Sequence, residues 1–219
     1  MAERLFLEMQ KSLWIGAVFS FHCFNFISVK NSLQHIYSHF LLSEENLREI
    51  MDAHEEVSIA KGEILLIEGQ IAEAYYIVEK GLVRAFVNGL EGSEITTEFF
   101  VENEIVIIPS SLFQKIPSVE NVQAVTDCTL FRMDYEKFQE LFHRLEGLRE
   151  WGRAWFSYQV FTMKQRSLDM VTETASARYL KLMKEKPQII QQAPLKHIAT
   201  FLGITDTSLS RIRKEISTK

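Results

Sequence analysis

The sequence predicts an α+β chain: an all-β sandwich or barrel set between helical segments, closing on a helix-turn-helix. Three observations predict it. A strand-and-turn pattern runs from Glu56 to Met133, a helical period continues from about Leu148 to Met170, and the chain ends in APLKHIATFLGITDTSLSRIRKEI. The 219 residues, 47% hydrophobic and 24% charged, have room for one large or two modest domains. Cys23 and Cys128 stand far apart, which gives no framework of disulfides or metal ligands and fits a reducing, cytoplasmic setting. The net charge of −5 is unevenly spread. Residues 172–219 carry nine Lys or Arg against four Asp or Glu, a balance of +5, and the rest of the chain carries −10. A basic end on an acidic body suits a terminus that binds nucleic acid.

Residues 1–30 are an apolar extension. Leu13–Val29, LWIGAVFSFHCFNFISV, is a 17-residue run between Lys11 and Lys30, interrupted by Ser20, His22, Asn25 and Ser28. A spanning helix needs roughly 20 apolar residues, and no A-x-A cleavage site follows the run. A membrane anchor, a packed helix and translated sequence upstream of the native start all remain open. The last is favoured because a helical pattern opens at Asn31, directly after Val29 and Lys30; a membrane is not an expected partner.

Residues 31–147 form the next unit. SLQHIYSHFLLSEENLREIMDAH has helical period, with Leu47, Ile50 and Met51 on one face after Ser43, a candidate N-cap. From Glu56 to Met133, alternation such as Val57/Ile59 and Tyr76/Val78 is punctuated by Gly62, Gly69, Gly81, Gly89 and Gly92, the signature of short antiparallel strands. That region contains no histidine, so a cupin-type metal enzyme is not expected. No nucleophile–base pair or P-loop glycine pattern appears either, and the chain does not read as an enzyme.

FQELFHRL is a short helix, and a long one spans 148–170. Leu148, Trp151, Trp155, Tyr158 and Thr162 recur along it at spacings of three and four. Packing against the chain's own core and self-pairing between two copies both explain such a seam.

Residues 171–219 hold the most specific motif. Ile198, Ala199 and Leu202 form the inner face of a first short helix, Gly203 permits a tight bend, and Ile204 is buried at the turn. Thr205 can cap a second helix whose inner face is Leu209 and Ile212. Small Ala199 lets the two helices approach closely. In such a helix-turn-helix the second helix enters the major groove of DNA. Its outward residues are Asp206, Thr207, Ser210, Arg211, Arg213 and Lys214. Arg211 suits guanine acceptors, while Thr205, the other hydroxyls and Lys214 suit phosphates and base edges. An ordinary αα-hairpin with a solvated basic face is the plainer reading, and Asp206 would repel phosphate unless it accepts from a cytosine amino group.

Taken together, KGEILLIEGQ (61–70), YYIVEKGLVRAF (75–86) and LGITDTSLSRIRK (202–214) resemble the Crp/Fnr family of transcription regulators from about Ser32 onward. The resemblance implies a double-stranded β-roll or jelly-roll that binds an effector, a long dimerisation helix, and paired recognition helices on a near-palindromic operator. An operator duplex, a second copy of the chain and RNA polymerase are the partners it implies. The chain continues only to EISTK after the recognition helix, without the β-hairpin wing of many relatives.

The departures from the family bear on the effector. Cyclic-nucleotide binders carry Gly-Glu, then Arg-Ser or Arg-Thr, in the cassette that holds ribose and cyclic phosphate. Here Asn103-Glu104 falls at the first pair and Ser118-Val119 at the second, and no arginine occurs between Phe86 and Leu130. A charge-assisted contact contributes about 1.5–3 kcal/mol, so its loss weakens a phosphate site roughly ten- to hundredfold. Glu102, Glu104 and Glu120 would repel phosphate further, and Glu104 reads better as a turn acid than as a ligand contact. The purine-contacting Thr-Ser of the long helix becomes Val160-Phe161. Cyclic AMP is therefore not an expected ligand. Two cysteines cannot supply an iron–sulfur cluster, and His54 and His143 are isolated candidates for haem. What remains is an uncharged or apolar effector, or none. A ligand-binding or protein-interaction module without DNA-binding activity is the alternative function.

Overall fold

A computed structural model of the chain describes residues 32–89 and 92–217. The apolar run at 13–29 and every expectation attached to residues 1–30 lie outside the described residues. Two helices, α1 (Ser32–Ile36) and α2 (Glu44–Asp52), precede eight strands. Ser43 caps α2 as expected, its Oγ accepting the Asn46 N–H at 3.2 Å and so satisfying one of the otherwise orphaned first-turn donors. No helix among the described residues is long and apolar enough to cross a membrane.

The strands are β1 (Glu55–Ile59), β2 (Ile64–Leu66), β3 (Ala74–Lys80), β4 (Val83–Asn88), β5 (Glu94–Phe100), β6 (Ile105–Val106), β7 (Asn121–Ala124) and β8 (Cys128–Asp134). They form two antiparallel four-stranded sheets, ordered β1-β8-β3-β6 and β2-β7-β4-β5, which close into the β-roll. The short helix α3 (Pro109–Gln114) links β6 to β7. Alternation sorts the side chains by face. Val78 and Leu130, paired in register, are fully buried. Tyr75, Ile77 and Met133 point the other way, where Tyr75 packs edge-on against Phe138 of α4 (Tyr135–Arg144) with ring centroids 5.5 Å apart.

A hydrogen-bonded chain crosses that helical face. His54 Nδ1 lies 2.8 Å from the Ile50 carbonyl, which fixes the proton there and leaves Nε2 to accept from the Tyr37 hydroxyl at 3.2 Å. Tyr37 in turn accepts from Tyr75 at 2.5 Å. Polar groups this deep are tolerated because each finds a partner.

Helix α5 (Glu146–Thr172) extends two residues beyond the predicted span at each end. Its first turns belong to the roll. Leu148 and Trp151 are 1% and 7% exposed within the roll's core, and the Trp151 indole donates to the Ile36 carbonyl at 2.7 Å. The expectation that one seam from Leu148 to Thr162 faces a second copy therefore needs correction. Its upstream half, Leu148, Trp151 and the half-buried Trp155, covers the chain's own core.

Four helices complete the described chain: α6 (Ala175–Glu185), α7 (Pro187–Gln192), α8 (Leu195–Phe201) and α9 (Asp206–Ser217). They are continuous with the roll rather than tethered to it. Leu82, Phe99, Val101 and Val125 of the roll share one core with Tyr179, Leu182, Ile189, Ile198, Leu209 and Ile212. Helix α8 lies along β5, the edge strand of its sheet, where the Thr96 N–H donates to Thr200 Oγ1 at 3.2 Å. Arg166 of α5 donates to the Thr97 carbonyl at 2.5 Å and to Glu98 at 3.0 Å. An edge that would otherwise offer free backbone groups is thereby covered.

Candidate functional site

The turn between α8 and α9 closes as a Schellman motif. The Gly203 N–H donates to the Thr200 carbonyl and the Ile204 N–H to that of Ala199, both at 3.0 Å. Gly203 sits at φ +68°, and a Cβ there would also meet Met170 Cε of the long helix at 2.8 Å. Glycine is thus favoured by the positive φ, while the flexible end of Met170 could shift to admit a Cβ. Arg178 donates to the Leu202 carbonyl at 2.9 Å, satisfying another end group of α8. Ala199 is fully buried and Ile204 half-buried, so the predicted close approach of the pair is present.

Thr205 caps α9, its hydroxyl accepting the Ser208 N–H at 3.3 Å. Leu209 and Ile212 are buried beneath the helix, while Asp206, Thr207, Ser210, Arg211, Arg213 and Lys214 are all exposed. Every outward residue predicted for this helix thus shares its solvent side. Asp206 occupies the first turn, where a carboxylate complements the partial positive charge of the helix N-terminus. A second acid of the helix, Glu215, is exposed and lies 4.0 Å from Arg211.

The lower half of α5 differs from the upper. Tyr158, Val160, Met163 and Val171 are 56%, 66%, 69% and 81% exposed, against the buried Leu148 and Trp151. Apolar surface available for pairing thus begins near Tyr158; Thr162 is half-buried, its hydroxyl donating to the Gln159 carbonyl at 2.9 Å.

At the junction of roll and C-terminal unit lies a buried guanidinium. Arg84 is 1% exposed and donates to Glu94 at 2.5 Å, to Gln123 Oε1 at 2.7 and 3.1 Å, and to Thr96 at 3.4 Å, above the Phe86 ring. Its hydrogen bond holds the Glu94 carboxyl below the usual range. His197 of α8, itself buried, lies 3.7 Å from Glu94; burial first, and then the Arg84 charge, push its imidazole down to about 4.

A cavity of about 610 Å³ opens between the two sheets. Its lining includes Leu65, Leu66, Gln70, Ile71, Glu73, Tyr76, Val106, Ile107, Ile108, Val122 and Arg132. Asn103, Glu104 and Ser118, the positions that correspond to the family's cassette, do not line it. Asn103 takes a left-handed conformation, φ 66°, in the turn before β6. Glu104 turns outward, accepting the Val101 N–H at 3.0 Å and pairing with Lys186 of the C-terminal unit at 2.8 Å. Ser118 is buried with its hydroxyl donating to the Glu120 carbonyl at 2.7 Å.

Sequence reasoning missed Arg132. It enters the cavity from β8, in register with Tyr76 of β3, and pairs with Asp134 at 2.5 Å and more distantly with Glu55 at 4.0 Å. Its alternation with Leu130 was the available signal, since both occupy the inward register of β8.

Residues 56–144 match the family model of the cyclic nucleotide-binding domain. No curated protein matches the sequence. Among solved structures, the chain is similar to FixK2 from Bradyrhizobium japonicum, with 18% identity over 75% of this chain and 85% of that one and a TM-score of 0.66. It is also similar to CLP, the c-di-GMP-responsive global regulator of Xanthomonas campestris, with 14% identity, coverage of 80% and 92%, and a TM-score of 0.62. The catabolite activator protein of Thermus thermophilus gives 20%, 85% and 87%, and a TM-score of 0.51. At these identities the likeness is one of fold.

Proposed function

We propose that this chain, which carries a cyclic nucleotide-binding domain at residues 56–144 on the fold of the Crp/Fnr transcription regulators, binds operator DNA as a homodimer. The observation that carries this reading is the α8–α9 pair. Its turn, cap and inner face are complete, and its solvent-exposed side presents Arg211, Arg213 and Lys214 with Thr207 and Ser210. Two such helices, brought together by the exposed lower half of α5, would address half-sites about one DNA turn apart. Because the C-terminal unit shares a core with β5 and its neighbours, a change in the roll reaches the recognition helix through packed side chains. An effector that favours one arrangement of that core would shift the population between binding and non-binding states.

The reading includes loss of cyclic AMP as effector. The cation in the cavity lining, Arg132, is already engaged by Asp134, and the residues at the cassette positions face elsewhere. Fluorescence anisotropy of the full chain with duplexes selected from a random pool tests the DNA reading. Affinity should fall by about 10³ or more between 50 and 200 mM salt if six or more phosphates are neutralised, and Arg211→Ala should remove sequence preference. A folded preparation with no salt-dependent affinity for any duplex would leave the chain an interaction or ligand-binding module.

A further inference from the structure

We propose that His197 makes the docking of the helix-turn-helix unit on the roll sensitive to acid, a proton on its imidazole favouring a released arrangement in which α8 leaves β5. In the docked arrangement the Thr96 N–H of β5 donates to Thr200 Oγ1 of α8 at 3.2 Å. The Phe99 and Phe201 rings meet edge-on with centroids 5.1 Å apart. Arg166 lies 4.0 Å over the Phe201 ring while donating to the Thr97 carbonyl of β5. His197 stands one helical turn before Phe201, buried in this contact. Its carbonyl accepts from the same Thr200 hydroxyl at 3.1 Å, so the ring and the docking bond share one turn of helix.

The imidazole is poorly matched to this place. Neither ring nitrogen has a hydrogen-bond partner among the described residues. Even the neutral ring, with one N–H and one acceptor, therefore forgoes the bonds that water would give it. A second proton enlarges the mismatch. The charged groups that face the ring are Arg84 of β4, Glu94 of β5, Lys196 of α8 itself and Asp206 of α9. Arg84 and Lys196 repel an imidazolium, whereas Glu94 and Asp206 attract it. Glu94 Oε2 lies 3.7 Å from the ring, but that same oxygen already accepts from Arg84 at 2.5 Å. Burial outweighs both acids and holds the docked ring near 4, against about 6.5 for an imidazole in water. Release returns the ring to water, so the released arrangement binds the extra proton between those values. Docking keeps its full strength above about pH 6.5 and weakens as pH falls toward 4.

Residue-resolved hydrogen exchange of the full chain tests this, with the Thr96 amide as reporter because its partner belongs to α8. Corrected for the intrinsic exchange rate, Thr96 protection should fall about tenfold from pH 7.5 to 5.5, the ratio set by a ring near 4 docked and about 6.5 released. Leu130, fully buried inside the roll, should be better protected than Thr96 at pH 7.5, which separates release from global unfolding. His197→Gln keeps a polar side chain that does not titrate, and should reduce the fall at Thr96 to about twofold or less. Higher Thr96 protection at pH 5.5 would mean that the imidazolium pairs with Glu94 and tightens docking, which overturns the proposal. So would constant protection, a tenfold fall that persists in His197→Gln, or equal protection of Thr96 and Leu130. If His197→Gln does not fold, the two amides of the unmodified chain decide. Exchange reads docking in the absence of DNA, so release and operator binding fail separately. A chain that binds no duplex can still show the fall at Thr96, and one that binds its operator can lack it.

Discussion

Arg84 and Glu94 form an ion pair whose halves are unequally buried, so the two ways of breaking it should differ. Arg84 is 1% exposed and Glu94 37%. Glu94→Ala strands a guanidinium that has no route to water and keeps only Gln123 and Thr96 as neutral acceptors. Breaking a buried pair from the side that leaves the charge inside costs about 3–5 kcal/mol, and the partial exposure of Glu94 argues for about 3. Arg84→Met removes the charge itself and keeps an unbranched side chain over Phe86. Glu94 can then turn to solvent, and the loss reduces to the bonds at Gln123 and Thr96, about 1–2 kcal/mol. The double variant should resemble Arg84→Met alone. Urea unfolding of the full chain at one fixed protomer concentration measures all three, provided the slope m is unchanged. Arg84→Met as damaging as Glu94→Ala would refute the reasoning from burial.

Acidification should also destabilise the fold. Burial pushes His54 down to about 4, while the unfolded imidazole titrates near 6.5, so the unfolded chain binds more protons between those values. Stability present above about pH 6.5 is lost as pH falls toward 4, by up to about 3 kcal/mol for this group, with His197 adding in the same direction. Urea midpoints at successive pH values should show this, and His54→Gln should flatten the slope. Val160→Glu with Met163→Glu should weaken self-association about a hundredfold by sedimentation. Trp151→Ala should instead cost about 3–5 kcal/mol of stability with little effect on self-association; a stable monomer from it would return the pairing seam to the upper helix. Glu104→Gln should cost less than about 1 kcal/mol of stability by urea unfolding, since its pair with Lys186 is partly exposed.

The helix-turn-helix was legible in the sequence almost residue by residue because every constraint on it is local. A positive-φ glycine, a hydroxyl cap three residues before its donor and a 3–4 apolar spacing all lie within APLKHIATFLGITDTSLSRIRKEI. The strands were legible for a similar reason, since glycines and alternation mark them. What the sequence concealed depends on contacts between distant segments. Glu104 meets Lys186 across 82 positions, and Trp151 meets Ile36 across 115. Spacing alone could not divide the long helix into a part that completes the roll and a part where Tyr158, Val160 and Met163 stay exposed. Beyond its alternation with Leu130, Arg132 carries no local mark of its place, because the cavity draws its cation from the central strand β8 and not from the cassette positions.

The most direct test of the account is hydroxyl-radical footprinting of the full chain on an operator selected from random duplexes. A dimer that presents two α9 helices predicts two protected patches, centred about 10–10.5 base pairs apart and related by an inverted repeat. Arg211→Ala should erase both together. A single patch without sequence symmetry, or protection that survives Arg211→Ala, would contradict paired recognition by this helix.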